Sequence, residues 1–336
     1  MPSAKSLFFT APYQVEIRET SLPRLKDDEV LVETVCSAIS AGTEMMVYRG
    51  QFPQLADAHD TVSSGLKYPL AYGYTCVGTV KEIGKQVDKS WMGQSVFAFQ
   101  PHASAFIVHP SGLIPVPASL SSENACFLPN METAVNLVQD GAPILGERVL
   151  VLGQGVVGLL TASLLSEFPL ENLTVVDSIE LRRNALQVEG QKLKVEQLAP
   201  TDLGAPTLRQ AQGGAFDLSF ELSGSPSALN TAIEHTRYSG RVVIGSWYGQ
   251  KRAEIDLGGS FHHSRIKLIS SQVSTISPEL SGRWDKSRRF EVAWQALERI
   301  QPQKWITQRF SLDEAEKAYQ LLDGNPQETI QVLFQY

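Results

Sequence analysis

A chain of 336 residues is long enough for two domains with proper cores, and 43% apolar with 19% charged residues is the balance of a soluble globular protein. A formal charge of −7 argues against nucleic acid or an anionic membrane as the main partner. No apolar run approaches a membrane span, and "MPSAKSLFFTAPYQVEI" lacks a signal peptide's apolar core, so a cytoplasmic location is expected.

The first third reads as short strands separated by turns: "YQVEIRET", "EVLVETVCSAI", "CVGTVKEIG", "QSVFAFQ" and "ASAFIVHPSGLIPVP". From about Ser121 strand-like and helical runs alternate, in "RVLVLG", "VVGLLTASLLSEF", "NLTVVD", "IELRRNALQVEG", "DLSFELSG", "SALNTAIEHTRYSG" and "RVVIGS". Such alternation predicts a parallel sheet with helices on both faces. "RRFEVAWQALERI" is helical, and "SLDE" offers a capping box between Ser311 and Glu314. The closing "IQVLFQY" is a strand that the last αβ unit does not need, so it is expected to return to the first domain. The expected organisation is α/β, with a β-rich domain over 1–120 and 302–336 and a doubly wound dinucleotide-binding domain over 121–301. Cys36, Cys76 and Cys126 are far apart, odd in number and set in apolar surroundings, and are expected to be buried packing residues.

"RVLVLGQGVVGLL" carries the most information. A strand runs into Gly153-x-Gly155-x-x-Gly158, and Val156 and Val157 open a helix. The first glycine permits a tight turn, the second lets a pyrophosphate approach the backbone, and the third lets helix and strand pack closely. Asp177 ends the next strand about twenty residues on, where a carboxylate accepts both ribose hydroxyls and repels a 2′-phosphate. NAD is therefore the expected cofactor, with NADP the alternative. Arg182 and Arg183 either flank the adenine or are solvated helix residues. Ser223 and Gly245 join the candidate cofactor set.

A β-rich domain, a dinucleotide fold and a returning chain end resemble the medium-chain dehydrogenase/reductase superfamily over nearly the whole length. The matching landmarks are "DDEVLVETVCSAISAGTEMMVYRG", "YPLAYGYTCVGTVKEIG", "GQSVFAF", "NMETAVN", "RVLVLGQGVVGLL" and "FSLDEAEKAYQLL". "SAIS-x-GTE", the "PH" after "VFAF", and "SSQV" look most like the branch that includes bacteriochlorophyllide a dehydrogenase. The resemblance implies a GroES-like catalytic domain beside a Rossmann domain, and it places Ser271 and Gln272 in the candidate cofactor set, near the nicotinamide amide. It also implies departures: Ala41, Tyr74 and Pro129 stand where zinc relatives have metal ligands, Cys126 is slightly out of register, and the four-cysteine lobe of the structural zinc is missing. No zinc is expected.

Without zinc, hydrogen-bond donors must polarise the substrate. By the resemblance Thr43 aligns with a proton-relaying Ser/Thr; its other reading is a cap on the turn "EMMVYRG". Tyr74 either donates to a substrate oxygen or fills space that the metal left. His102 is either a proton shuttle near the pocket or a satisfied histidine, and Glu44 is assigned no chemistry. Arg283 and Trp284, with Arg288 and Arg289 nearby, either bind a carboxylate and a flat ring, as an acidic tetrapyrrole offers, or form a solvated helix start. The leading expectation is a zinc-independent NAD(P)(H)-dependent oxidoreductase acting on a secondary alcohol or ketone of a fairly large molecule. An enone reductase and a non-catalytic dinucleotide-binding protein are the alternatives. Relatives often dimerise through the edge strand of the dinucleotide sheet, and "GRVVIGSWYG" is the candidate for a homodimer.

Overall fold

Alternating apolar residues in the first third become two antiparallel sheets. The computed structural model describes residues 3–52, 67–187, 193–204 and 215–336. Strands β1 (Ser3–Ala11) and β2 (Gln14–Ser21) pair with Leu7 opposite Ile17 and Phe9 opposite Val15. After β3 (Val30–Ile39) come the short helix α1 (Thr43–Tyr48) and β4 (Leu70–Ala71), which joins the edge of β1. Strands β5 (Cys76–Ile83), β6 (Ser95–Ala98), β7 (Ala105–Val108) and β8 (Leu113–Pro115) build the second sheet around β3. Helix α2 (Ser122–Ala125) follows, its first turn capped by Ser121, whose hydroxyl accepts from the Asn124 amide.

The chain then passes into a second compact unit, residues 128–300. Residues 121–127 pack with the first unit, so the change of unit falls at Phe127. The second unit contains α3 (Leu128–Gly141), β9 (Arg148–Leu152), α4 (Val156–Ser166), β10 (Asn172–Val176), α5 (Glu180–Arg183) and β11 (Lys194–Leu198). It continues with β12 (Phe216–Glu221), α6 (Ala228–His235), β13 (Thr236–Ile244), α7 (Ser260–His263), β14 (Lys267–Ser270) and α8 (Lys286–Ile300). All six strands are parallel, in the order β11-β10-β9-β12-β13-β14, which is the doubly wound order 3-2-1-4-5-6. Helices cover both faces, which explains why Val149, Leu150 and Val151 run apolar without alternation and are fully buried.

Two expectations are corrected. The helix read in "IELRRNALQVEG" ends at Arg183 after four residues, and residues 188–190 of that stretch lie outside the described residues. Strand β13 is flanked by β12 and β14, so "GRVVIGSWYG" does not offer the edge of the sheet; β14 does.

The remaining chain, β15 (Ile306–Ser311), α9 (Ala315–Gly324) and β16 (Gln331–Gln335), belongs to the first unit. Glu314 closes the capping box expected with Ser311, accepting from its amide at 3.2 Å and its hydroxyl at 3.0 Å. Strand β16 pairs antiparallel with β3, Val332 opposite Ile39 and Phe334 opposite Ser37. Tyr319 of α9 stacks on Tyr48 at 5.3 Å and meets Phe9 edge-on at 5.2 Å. Such ring pairs add about 0.5–1.5 kcal/mol each beyond the burial of their area.

The close approach of β9 and α4 depends on Gly158, where an added Cβ would stand 1.9 Å from the Gly153 carbonyl oxygen. Gly158→Ala is expected to destabilise the second unit by about 1–3 kcal/mol, the usual cost of forcing an extra methyl into a packed contact. An unchanged unfolding midpoint would show that the turn is looser than this contact requires.

Candidate functional site

The end of β9 forms a cradle. Gly153 has φ +95°, and a Cβ there would lie 2.6 Å from the backbone of Leu222 and Ser223 at the end of β12. This is the point where the strand order reverses, the usual ligand crevice of such a sheet. Gly155 is the N-cap of α4, in an ordinary backbone conformation, and a Cβ added to it meets nothing within 4 Å. No side chain caps α4, so the first-turn amides of Val156, Val157 and Gly158 remain available to an anion at the positive end of the helix. An open cradle lined by amide hydrogens suits a pyrophosphate.

Asp177 follows β10 and is held firmly. Its Oδ2 accepts from the Gln154 amide at 2.7 Å, and its Oδ1 accepts from the Ile179 amide at 2.8 Å. Each oxygen keeps further acceptor capacity for a ribose hydroxyl. Arg182 is mostly desolvated, which lowers its pKa, with the Asp177 charge acting in the opposite direction. Arg183 Nη1 donates to the Asp177 carbonyl at 2.8 Å.

The other cofactor candidates lie at the same ends of the sheet. The Ser223 hydroxyl is committed to Glu221, a fully buried carboxylate that also accepts from the Tyr248 phenol. Burial, then Glu221 itself, pushes the Tyr248 pKa up. Gly245 gives close packing, because a Cβ there would touch Leu137 and Leu222. The Ser271 hydroxyl donates to Asp140 at 2.7 Å and accepts from Asn136 at 2.8 Å, while Gln272 pairs with Ser274. The basic and aromatic cluster divides. Trp284 carries the Arg288 guanidinium 4.2 Å above its ring, and Arg288 also donates to the Arg283 carbonyl. The Arg283 side chain is exposed. Arg289 is fully buried and instead holds the carbonyls of Val273 and Thr275 at 3.0 and 3.1 Å.

In the first unit, "AISAGTEMMVYRG" forms a tight turn from β3 into α1. The N-cap of α1 is Gly42, and Thr43 makes no side-chain cap. The turn is closed instead by Ser40, whose hydroxyl accepts from the Thr43 amide at 3.3 Å and whose carbonyl accepts from the Glu44 amide at 3.0 Å. Tyr74, ahead of β5, is half-buried. Burial raises the Tyr74 pKa, with the Glu44 charge adding to the rise and the Ser40 and Thr43 hydroxyls partly offsetting it. Ser40, which closes the turn at Thr43, was missed by sequence reading although "SAIS" displays it.

His102 is placed differently. It is fully buried, with Nδ1 2.7 Å from Ser37 Oγ and Nε2 2.8 Å from Glu44 Oε2, and Ser37 Oγ in turn lies 2.9 Å from Tyr336 Oη. The His102 ring packs edge-on to Phe334 at 5.1 Å, and a Cβ on Gly73 would press against it at 2.8 Å. The cysteines are free and buried, as their apolar surroundings suggest. Cys126 Sγ faces Cys36 Sγ at 3.4 Å, and burial pushes the Cys126 pKa well up. Among the described residues, no group of three or more His, Cys, Asp or Glu side chains is placed to hold a metal ion.

Comparison with known proteins agrees with this geometry. Residues 26–111 match the alcohol dehydrogenase GroES-like domain. D-guloside 3-dehydrogenase of Escherichia coli (strain K12) is 25% identical over 313 residues, 87% of this chain and 88% of that protein. The solved structure of L-idonate 5-dehydrogenase from Escherichia coli matches with a TM-score of 0.79 at 19% identity, covering 100% of this chain and 99% of that one. An alcohol dehydrogenase from E. coli CFT073, complexed with NADH, matches at 0.76 and 19% identity over 99% of each chain. The chain carries a GroES-like domain, shares its fold with solved dehydrogenases, and is similar in sequence to proteins named as dehydrogenases.

Gly155→Val is expected to fold normally, because its side chain enters open space, and to abolish dinucleotide binding measured by calorimetry, because that space is the pyrophosphate's. Unchanged affinity would remove the cradle from the site. The intact protein should bind NADH more tightly than NADPH, and Asp177→Asn should narrow that preference by about tenfold or more, the worth of a hydrogen bond to a charged group. Tighter NADPH binding by the unaltered chain would overturn the role given to Asp177.

Proposed function

We propose that this chain is a zinc-independent, NAD(H)-dependent oxidoreductase that interconverts a secondary alcohol and a ketone on a fairly large organic molecule. The observation that carries this reading is the open cradle at the start of α4, where no side chain caps the helix and Gly155 leaves free space. A bound nicotinamide dinucleotide supplies or accepts the hydride. The chain's own residues do the rest. The first turn of α4 binds the pyrophosphate, and Asp177 orients the ribose. Tyr74 donates a hydrogen bond to the substrate oxygen and gives it a proton as hydride arrives, with Thr43 sharing that proton.

Several features favour zinc independence. Ala41 and Pro129 offer no side-chain donor, the Cys126 thiol is turned to Cys36, and a phenol resisting ionisation is a poor metal ligand. The donor set does not fit zinc, so no step is routed through it. The names D-guloside 3-dehydrogenase and L-idonate 5-dehydrogenase point to sugar-derived substrates, which favours an alcohol/ketone over an enone.

Thr43→Val and Tyr74→Phe remove only a hydroxyl, so each should lower ketone turnover by about 10²–10⁴-fold while NADH affinity stays the same. Deuterium from labelled NADH should appear on the carbinol carbon; deuterium on a carbon β to a carbonyl would make the protein an enone reductase. The purified protein should carry no stoichiometric zinc and resist chelators. Near-normal turnover in both variants would sink the hydroxyl reading, and one tightly held zinc per chain would sink the reading as a whole.

A further inference from the structure

Helix α8 buries one face, on which Ala293, Ala296 and Leu297 are wholly covered. Arg289 stands one turn ahead of Ala293 on that face and is fully buried as well. Its Nε, also buried, has no hydrogen-bond partner among the described residues. An apolar side chain of similar volume would fill the place without the cost of desolvating a charge. What the guanidinium does there is hold main chain. Nη1 donates to the Val273 carbonyl at 3.0 Å and Nη2 to the Thr275 carbonyl at 3.1 Å, with Glu132 of α3 3.6 Å from Nη1. Lys286, earlier on α8, donates to the same Val273 carbonyl at 3.0 Å and pairs with Glu132.

Helix α3 holds the start of the same segment. Glu132, Asn136 and Asp140 recur at the spacing that puts side chains on one helix face. Asn136 Nδ2 donates to Ser271 Oγ at 2.8 Å, and Ser271 Oγ donates to Asp140 at 2.7 Å. The Ser271 amide donates to the Ile244 carbonyl at 3.0 Å. Segment 271–275 is thus held at Ser271, Val273 and Thr275 by side chains of two helices, while Gln272 and Ser274 between them are exposed.

The place of this segment gives the hold a purpose. A dinucleotide lies across the switch point of a doubly wound sheet, one mononucleotide half on each side. Asp177, after β10, takes the ribose on one side of β9. The other half, which carries the nicotinamide, then extends over the carboxyl ends of β12, β13 and β14. Segment 271–275 leaves the carboxyl end of β14 and is tied at Ser271 to the last residue of β13.

We propose that Asn136 and Arg289 are positioning residues, which from α3 and α8 clamp segment 271–275 as a wall of the nicotinamide half of the cofactor site and so fix that ring for hydride transfer. This rests on the reading that the cradle at α4 binds a nicotinamide dinucleotide, but its test does not need turnover.

The test compares two probes on the intact chain by calorimetry: NADH, and ADP-ribose, which lacks the nicotinamide. The unaltered protein should bind both, NADH the more tightly. Arg289→Met keeps an unbranched apolar stem but releases both carbonyls, and Asn136→Ala removes the amide that holds Ser271. Each should weaken NADH binding by about fivefold or more, the worth of a hydrogen bond that a displaced segment no longer offers, and leave ADP-ribose affinity unchanged. Arg289→Lys, which can still donate to one carbonyl, should recover part of the loss. A general loosening of the unit would weaken both probes alike, so an equal fall in both overturns the proposal. Unchanged NADH affinity in the folded variants does the same. If Arg289→Met does not fold, Asn136→Ala decides by the same comparison. An unaltered protein that binds neither probe removes the functional reading and the clamp with it. One that binds both equally well keeps the cradle and overturns the clamp alone.

Discussion

The pairing of β16 with β3 organises the first unit. It joins residues nearly three hundred positions apart, Val332 to Ile39 and Phe334 to Ser37, and so closes a loop that contains the whole second unit. Closing so long a loop costs little more entropy than closing a shorter one, since the cost grows only with the logarithm of length. What it brings is specific. Phe334 packs against His102, and α9, carried by the same returning segment, delivers the Tyr319 hydroxyl to Glu44. The turn at Ser40–Glu44 therefore depends on the far end of the chain for both its packing and its charge.

A buried carboxylate without partners would cost several kcal/mol and would usually take up a proton instead. Here three donors reach Glu44 from β3, from the segment ahead of β7 and from α9. None of these elements is next to another in sequence, so the arrangement exists only in the folded unit. Losing one donor leaves the other two in place. Losing the carboxylate leaves three donors facing each other, and for this reason the polar cluster also helps to specify how the unit packs.

The shape of the glycine turn was legible in the sequence because it is local. Gly153, Gly155, Gly158 and Asp177 lie within one strand–helix–strand unit, where Gly153 answers to a backbone constraint and Gly158 to a packing one. The returning strand was legible from its apolar pattern, and the capping box from Ser311 and Glu314 alone. Thr43 and Tyr74 could be named only through the resemblance, since no local pattern marks either. Glu44 was assigned no chemistry, and two readings of His102 stayed open. The Glu44 carboxylate meets Tyr319, 275 positions away, and nothing in a helix reading "AEKAYQLL" says where one phenol will point. The short α5 and the inner position of β13 were missed for a related reason: helical pattern and strand propensity say nothing about where tertiary packing stops a helix or which strand lies outermost.

The same phenol would behave in opposite ways beside a metal and beside a carboxylate. A divalent cation stabilises the anion of any group it touches, so a tyrosine at such a centre tends toward phenolate and can act only as a base or ligand. An adjacent carboxylate does the reverse, and burial acts in the same direction, because both penalise the charged form. Tyr74 has the second kind of surroundings: desolvation comes first, and the Glu44 charge adds to it. If Tyr74 gives the substrate its proton, the loss of ligand atoms is only half of the change, because the side chain that replaces them must also stay neutral.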